Sequence, residues 1–334
     1  MTAWLRPLLS LGGPPPAGAL RLHGGAFWFD RMVDGQGNIA GLDAVPSELL
    51  DRLKGPLEAP NWLRNGPPSI MGILNVTPDS FSDGGDFLAS DAAIKRGLQM
   101  LESGADILDI GGESTRPGAK TITVAKEIDR VIPVISGLRA AKPGAIISID
   151  TRKARVAEAA ITAGASLVND VSAATFDPEM IPLVSQSDAA LCLMHAQGLP
   201  ETMQLNPSYG DVVGEVFDAL QSAIERAMAA GISKTRLVVD PGLGFGKTGA
   251  HNLDLVRNLA VFHGLGVPVM FGASRKRFIG TITGAQQPKD RVVGSVTLAL
   301  EAARQAVQVV RVHDIVETKQ AFDMWKACAF SGQN

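Results

Sequence analysis

From residue 69 onward the chain repeats one pattern: a short apolar run, a polar loop that contains glycine, and a stretch with helical spacing. The runs are rich in β-branched residues and apolar at neighbouring positions, which is typical of parallel strands buried under helices on both faces. The eight runs span residues 69–77, 105–115, 145–151, 166–172, 190–198, 236–246, 267–275 and 307–314. Eight strand–helix units predict an α/β fold, a (β/α)8 TIM barrel, which typically needs about 250 residues.

Two of the intervening helices have recognisable features. Ser90 is expected to cap a helix that runs through Ile94 to Leu101, and Gly104 is expected to end that helix. The segment 211–230 is followed by Gly231 and has one apolar helical face, which is predicted to pack on the barrel. The residues of that face are Val212, Val213, Val216, Phe217, Leu220, Ile224 and Met228.

Residues 1–66 are predicted to form an N-terminal extension to a barrel that spans residues 67–334. Within the extension, the segment 19–33 alternates around a His-Gly-Gly turn, which indicates a β-hairpin. A short helix is expected to start after Pro46. The sequence leaves open whether the extension covers the bottom of the barrel or contacts another subunit.

Composition indicates a soluble, globular, cytoplasmic protein. The formal net charge of −3, with 31 basic and 34 acidic residues, gives no reason to expect nucleic-acid binding. The N-terminal segment matches neither a signal peptide nor a membrane span, so the Asn-x-Thr triplet at Asn75 is not expected to be a glycosylation site. Cys192 and Cys328 are distant in sequence and have apolar neighbours, which predicts two buried thiols in a reducing compartment.

Polar residues follow every predicted strand, at the end of a barrel where catalysis takes place. Single residues have structural explanations: Asp150 and Asp170 could cap helices, His195 could be a core imidazole, and Arg275 could lie in a solvated turn. Helix capping does not require Lys, Arg or His, so the recurrence favours a ligand site. These residues include Asn75, Glu113, Thr115, Arg116, Asp150, Arg152, Asn169, Asp170, His195, Asp240, Ser274, Lys276, Arg311 and His313.

The strand-end groups suit a ligand with a donor-rich ring and an anionic tail. Asp150, Asn169 and Asp240 offer hydrogen-bond acceptors and an amide, which fit a flat heterocycle with an amidine-like N–H edge. The last two strands supply cationic groups, at the place where barrel enzymes commonly bind phosphate. These groups are Lys276, Arg311 and His313.

The segment "PGLGFGKT" (241–248) superficially matches a phosphate-binding P-loop. That motif requires glycine where Pro241 stands, so the match fails. The glycines are instead predicted to form a tight turn that brings Phe245 over the pocket.

The strand-end motifs together resemble the dihydropteroate synthase family. The matching blocks are "MGILNVTPDSFSDGG", "DIGGESTRPGA", "SIDT", "VNDVS", "CLMHAQG", "DPGLGFGK", "GASRKRFIG" and "VVRVHD", which occur in the family's order over residues 69–329. The resemblance implies condensation of 6-hydroxymethyl-7,8-dihydropterin diphosphate with p-aminobenzoate, with Mg²⁺ as cofactor and a homodimer as the assembly. It also implies that sulfonamides compete with aminobenzoate.

Residue roles follow from the same resemblance. The positions that match the family's pterin diphosphate site are Thr115, Asp150, Asn169, Val171, Met194, Asp240, Phe245, Gly272, Lys276, Arg311 and His313. Those that match its aminobenzoate site are Phe81, Thr115, Arg116, Pro117, Phe245, Ser274 and Lys276. Asn75 matches the Mg²⁺ ligand, a role that suits an amide oxygen. The expected catalytic residues are Asp150, Lys276, Arg311 and His313.

Two other functions share parts of this pattern. A pterin-binding barrel of the corrinoid methyltransferase kind would use the Asp and Asn ring contacts, and a non-catalytic pterin-binding protein would keep only a binding pocket. Neither function needs the cationic residues of the "SRK" (274–276) and "RVH" (311–313) segments, which favour the synthase.

Overall fold

The N-terminal part of the chain forms two small antiparallel sheets and a short helix in the computed structural model, which describes residues 4–64, 66–77, 86–114, 121–198 and 203–329. One sheet has the order β2 (Ser10–Leu11), β4 (Phe27–Phe29), β3 (Leu20–Arg21), and the other has the order β1 (Leu5–Pro7), β5 (Arg31–Asp34), β6 (Ile39–Gly41). Strands β3 and β4 pair antiparallel across a turn at 22–24, as in a hairpin. Helix α1 (Ser47–Lys54) begins directly after Pro46.

Eight parallel strands follow and close into the predicted barrel. They are β7 (Ser69–Asn75), β8 (Ile107–Gly111), β9 (Ile146–Asp150), β10 (Leu167–Asp170), β11 (Ala190–Met194), β12 (Leu237–Asp240), β13 (Met270–Phe271) and β14 (Val309–Val312). Each strand pairs with its neighbours in chain order, and β14 pairs with β7. A parallel bridge between Val239 and Val269 joins β12 to β13 and completes the ring. All eight predicted strands are therefore present, although each is shorter than its apolar run.

Nine helices of the described chain surround the barrel. They are α2 (Asp86–Glu102), α3 (Val124–Ala141), α4 (Ala154–Thr162), α5 (Met180–Ser185), α6 (Val212–Ala229), α7 (Gly249–Arg257), α8 (Arg277–Thr283), α9 (Val292–Arg304) and α10 (Ile315–Ala329). Their apolar faces pack on the outer faces of the strands in one continuous core. The strands are thus buried on both sides, which explains why their sequences are apolar at neighbouring positions.

The predicted helix ends are partly correct. Helix α2 begins at Asp86, so Ser90 lies inside the helix and the predicted cap there is wrong. Gly104 does end α2, with a left-handed φ of 105° and an N–H that donates to the carbonyl of Leu101. Asp211 caps α6 by accepting a hydrogen bond from the N–H of Val213.

Most of the predicted apolar face of α6 is buried, but its last residue is not. Phe217 is half-buried, and Met228 is 45% exposed. The final turn still packs on the core through the fully buried Ala227, so Met228 lies on the outer side of that turn.

An apolar floor fills the N-terminal end of the barrel. Its inward side chains come from the start of the strands: Met71, Ile107, Leu167, Ala190, Cys192, Val238, Met270 and Val309. Trp62 and Leu63, which precede β7, pack against this floor from outside. The segment before the barrel therefore does help to close the barrel bottom.

The rest of the extension packs on the side of the barrel. Leu22, Phe29, Met32 and Leu53 form a small buried core that also contacts Ala306. The indole Nε1 of Trp4 donates a hydrogen bond of 2.8 Å to Asp211 at the start of α6.

Only one of the two cysteines is buried as predicted. Cys192 lies in the barrel floor, whereas Cys328 is exposed on α10. Within the described ranges, none of the helices combines the length and the apolar character that crossing a membrane requires.

Candidate active site

The inward side chains of the barrel lie in successive levels, because side chains alternate between the two faces of a strand. Above the apolar floor the next level is polar. It contains Asp109, Ser148, Asn169, Asp240 and Arg311. The level above it, at the C-terminal ends of the strands, contains Asn75, Asp150, Met194 and His313.

Arg311 joins these two levels through two carboxylates. Its Nε lies 2.5 Å from Oδ2 of Asp109, and its Nη2 lies 2.7 Å from Oδ2 of Asp150. The same oxygen of Asp109 accepts a hydrogen bond of 3.0 Å from the side-chain amide of Asn169. Three adjacent strands and β14 are thus connected at the centre of the barrel.

One guanidinium cannot neutralise two buried carboxylates, and this imbalance changes their proton affinity. Burial raises the pKa of Asp150 to about 7, against the attraction of Arg311 and with the help of repulsion from Asp109. Burial alone would lower the pKa of Arg311, but the two carboxylates raise it above its ordinary value. Arg311 is therefore a permanent cation, whereas Asp150 exchanges a proton near neutral pH.

Three acceptor oxygens in this cluster are left for a ligand. Oδ1 of Asp109, Oδ1 of Asp150 and Oδ1 of Asn169 are buried, and none has a hydrogen-bond partner among the residues that the structure describes. Buried polar atoms are normally hydrogen-bonded, and an unpaired one costs about 1–3 kcal/mol. A bound ring with several N–H donors would satisfy them.

Asp240 presents a fourth acceptor from the opposite side of the barrel. Its Oδ1 accepts a hydrogen bond of 2.7 Å from the N–H of Gly242, which fixes the carboxylate. A Cβ at Gly272 would lie 3.7 Å from the other oxygen of Asp240, so the absence of a side chain at Gly272 keeps the space beside that oxygen open. Burial raises the pKa of Asp240, and Lys276 opposes this change.

Lys276 lies between Asp240 and Phe245. Its Nζ is 4.8 Å from the centre of the Phe245 ring and donates a hydrogen bond to the carbonyl of Leu243. Burial lowers the pKa of Lys276 to about 8, and Asp240 counteracts this effect. The amine is therefore mostly an ammonium ion at neutral pH.

Ser274 and His313 form a hydrogen-bonded pair at the strand ends. The Ser274 hydroxyl lies 3.0 Å from Nδ1 of His313 and accepts a hydrogen bond of 3.1 Å from the backbone N–H of His313. Arg275 is separated from this pair, because its left-handed backbone (φ 59°) directs it to Asp314, with which it forms a salt bridge. Arg275 therefore has a structural role, as one reading of the sequence allowed.

The other predicted residues divide into those that line the barrel mouth and those that the structure does not describe. Val171 and Met194 are buried at the ends of β10 and β11. Of the predicted site, Phe81, Thr115, Arg116 and Pro117 lie outside the described residues.

Asp150 and Asp170 differ in function. Helix α4 begins after Lys153, so Asp150 does not cap it and faces the barrel interior. Asp170 instead accepts hydrogen bonds from the N–H and the hydroxyl of Ser172, at 2.7 and 2.6 Å, and stabilises the turn after β10. The capping explanation is wrong for Asp150, whereas Asp170 does have a local structural role.

Glu113 and Arg152, which also follow strands, belong to a buried ionic cluster beside the site. Lys153 lies at its centre, 2.7 Å from Glu113 and 2.6 Å from Glu127, and it donates to the carbonyl of Ile122. Arg152 lies 3.4 Å from Glu113. The cluster joins the end of β8 to the start of α3 and to the segment after β9.

Two residues of the site area were missed by the sequence analysis. Asp109 lies inside an apolar run rather than after it, and a lone carboxylate in a buried strand was the available signal.

The second missed residue is Lys247, which is almost fully buried and donates a hydrogen bond of 2.9 Å to Nδ1 of His195. Burial lowers the pKa of Lys247 to about 7, and repulsion from Lys276 adds to this effect. Burial also lowers the pKa of His195 to about 3, and the nearby Lys247 lowers it further. His195 is therefore a neutral, structural imidazole.

The surroundings of Asn75 are compatible with one Mg²⁺ ligand from the protein. A Cβ at Gly111 would lie 3.5 Å from Oδ1 of Asn75 and 3.7 Å from Oδ2 of Asp150, so both oxygens border the space above Gly111. The described residues contain no cluster of three or more His, Cys, Asp or Glu that could hold a metal. Such a site fits Mg²⁺, which commonly keeps waters and substrate phosphates as its other ligands.

Comparison with known proteins agrees with this geometry. The family model of pterin-binding enzymes matches residues 71–313. A dihydropteroate synthase of Synechocystis sp. is 45% identical over 246 residues, which cover 74% of this chain and 85% of the relative.

Two solved structures are similar over the same region. The Xanthomonas albilineans dihydropteroate synthase with 4-aminobenzoic acid has a TM-score of 0.75 at 46% identity and covers 79% of this chain and 94% of its own. The Yersinia pestis dihydropteroate synthase with a sulfonamide drug complex has a TM-score of 0.74 at 44% identity and covers 78% and 94%. These matches support the synthase rather than the methyltransferase or the non-catalytic alternative. The chain belongs to the dihydropteroate synthase family of pterin-binding enzymes.

Proposed function

We propose that the two polar levels of the barrel are the active site for the reaction of this family. The chain is a transferase that joins 6-hydroxymethyl-7,8-dihydropterin diphosphate to p-aminobenzoate and releases 7,8-dihydropteroate and diphosphate. The observation that carries the residue assignment is the set of unpaired acceptor oxygens on Asp109, Asp150 and Asn169.

The pterin ring would lie across the barrel between those acceptors and Asp240. Dihydropterin carries N–H and amino donors along one edge, and Asp240 suits the ring N3–H and the 2-amino group. Asp150 and Asn169 would accept from the remaining ring donors. The walls of the pocket would be Val171, Met194, Phe245 and Gly272.

The diphosphate would extend toward the strand ends at β13 and β14. Arg311 is a permanent cation there, and His313 directly follows the end of the same strand. Asn75 would hold Mg²⁺, which when bound supplies further positive charge to the diphosphate oxygens. These groups stabilise the charge that the leaving group acquires.

Aminobenzoate would bind on the outer side of Lys276. Ser274, Lys276 and Phe245 border that side. The aminobenzoate assignments of Phe81, Thr115, Arg116 and Pro117 rest on the family resemblance.

The reaction needs charge stabilisation more than proton transfer. The C–O bond to diphosphate breaks, the arylamine nitrogen bonds to the methylene carbon, and that nitrogen then loses one proton. Because an arylamine is neutral near pH 7, no strong general base is needed. Ionised Asp150 and Asp240 would stabilise positive charge on the ring as the diphosphate departs.

The test is diphosphate release. We expect release to require both substrates, to stop in excess chelator and to return with Mg²⁺. Asn75→Ala should raise the Mg²⁺ concentration needed for half-maximal rate. Full turnover in excess chelator would refute the metal assignment, and diphosphate release without aminobenzoate would refute the synthase reaction.

A homodimer in the cytoplasm is the proposed state of the protein. Four large apolar side chains on α8, α9 and α10 are at least half exposed, which supports contact with a second copy. They are Ile282, Val293, Val316 and Met324. The free, buried thiol of Cys192 supports a reducing compartment.

Sulfonamides should compete with aminobenzoate for this site. The support is the sulfonamide drug complex of the Yersinia pestis relative, at 44% identity.

A further inference from the structure

The turn at 241–248 is built around a buried lysine. Lys247 is 2% exposed, and its Nζ donates to the carbonyls of Gly242 and Phe245, at 2.9 and 3.1 Å, and to Nδ1 of His195, at 2.9 Å. The carbonyl oxygen of His195 lies 3.4 Å from the same nitrogen, so four acceptors of the protein surround it and the turn encloses Lys247 as it would a small cation.

The backbone of this turn is adapted to that arrangement. Gly242, Gly244 and Gly246 have left-handed φ values of 68°, 78° and 62°. A Cβ at Gly242 would lie 1.9 Å from the carbonyl oxygen of His195, so no other residue fits there. From outside, the Tyr209 hydroxyl donates to the carbonyl of Gly246 over 2.9 Å.

The same turn supplies three contacts to the pterin pocket. The N–H of Gly242 fixes Asp240, the carbonyl of Leu243 accepts from Lys276, and the Phe245 ring lies against Lys276. The residues that hold the turn therefore control the placement of the groups that would hold the ring.

We infer that Lys247 is a positioning residue for the pterin site, which acts by holding the 241–248 turn and, through the N–H of Gly242, the Asp240 carboxylate. In place of a phosphate, for which the P-loop match already fails in the sequence, Lys247 binds the protein's own carbonyl groups. This inference rests on the proposed pterin-binding role of Asp240.

The test is a double-mutant cycle between Lys247 and Asp240, read as binding of 6-hydroxymethyl-7,8-dihydropterin diphosphate by calorimetry with Mg²⁺ present. In Asp240→Asn the side-chain oxygen can still accept from the N–H of Gly242, but an amide N–H donor replaces the acceptor that faces the ring. This variant should therefore weaken pterin diphosphate binding at least thirtyfold. Lys247→Met should weaken binding at least tenfold in the natural chain but less than threefold in the Asp240→Asn background. Lys142→Met, the same change at an exposed position, should leave binding within twofold.

Equal losses from Lys247→Met in both backgrounds would overturn the inference, because a general loss of stability adds to the Asp240 effect. No loss in either background would also overturn it. If Asp240→Asn itself leaves binding unchanged, the proposed pterin role of Asp240 fails instead.

If Lys247→Met does not fold, as judged by circular dichroism, Tyr209→Phe loosens the same turn more gently. We expect Tyr209→Phe to weaken binding two- to fivefold in the natural chain and less than 1.5-fold with Asp240→Asn. Unchanged binding for Tyr209→Phe in the natural chain would then contradict the inference.

Discussion

At the scale of single residues, the site depends on charges that are buried and incompletely paired. Arg311 forms salt bridges with two carboxylates, and on the opposite side Lys276 is the cation that attracts Asp240 most strongly. Burial shifts the pKa of Asp150 and of Lys276 toward neutrality from opposite directions. Shifts of this kind concentrate at functional sites, because groups arranged for a ligand are not fully satisfied without it.

Lys276 leads to a prediction about pH. Its pKa is lowered to about 8, so the ammonium form is present below that pH and is lost as the pH rises through it. If the ammonium ion is needed at the ring, kcat/KM for pterin diphosphate should fall on the alkaline side with an apparent pKa of about 8. A pH–rate profile at saturating aminobenzoate measures this, and a constant kcat/KM up to about pH 10 would contradict the role.

At the scale of elements, the strands begin with residues that pack in the floor, and most of them carry polar residues from their middle to their C-terminal ends. In β8, Ile107 belongs to the floor and Asp109 to the polar level. The segments that follow the strands are tied together by the buried cluster of Glu113, Glu127 and Lys153. This cluster connects β8, α3 and the segment after β9, so it should be important for stability.

Lys153→Met should therefore destabilise the fold strongly. The change leaves Glu113 and Glu127 buried without their central cation, and breaking such a pair typically costs about 3–5 kcal/mol. The free energy of unfolding in urea measures the loss. As a control, Lys126→Met on the exposed side of α3 should change it by less than about 0.5 kcal/mol.

A second variant tests the cause. Lys153→Met combined with Glu127→Gln removes one of the unpaired charges, so the double variant should be more stable than Lys153→Met alone. If the double variant is less stable instead, lost packing rather than unpaired charge explains the effect.

The sequence predicted the elements better than their ends. Eight strands follow from runs that are apolar at neighbouring positions, which is typical of parallel strands buried on both faces. Polar strand ends and loops look alike in sequence, so the predicted runs were longer than the strands. Ser90 was misplaced because several polar residues could start α2. The direction of Lys247 depends on left-handed glycines, which spacing alone does not reveal.

At the scale of the whole molecule, the chain consists of a catalytic barrel and an extension that packs on its side and its floor. None of the residues proposed for the site lies in residues 1–66, which supports a role for the extension in stability. Trp62 and Leu63 are the part of this region that touches the barrel interior.

Two truncated chains separate these contributions. Both a chain that starts at Glu58 and one that starts at Asn65 should retain catalytic turnover if they stay soluble. The shorter chain should be less stable by about 2–3 kcal/mol, because it loses the partly buried Trp62 and Leu63. Urea unfolding and diphosphate release measure the two effects. A truncated chain that is folded by circular dichroism but inactive would place the extension in the site or in an essential dimer.

The function proposed for this barrel is to join a pterin to an arylamine. The most direct measurement is mass spectrometry of the products formed from 6-hydroxymethyl-7,8-dihydropterin diphosphate and p-aminobenzoate with Mg²⁺, together with the diphosphate released. We expect 7,8-dihydropteroate and diphosphate in equal amounts. Diphosphate accompanied by free hydroxymethyl-dihydropterin, or the absence of both products from a folded protein, would contradict it.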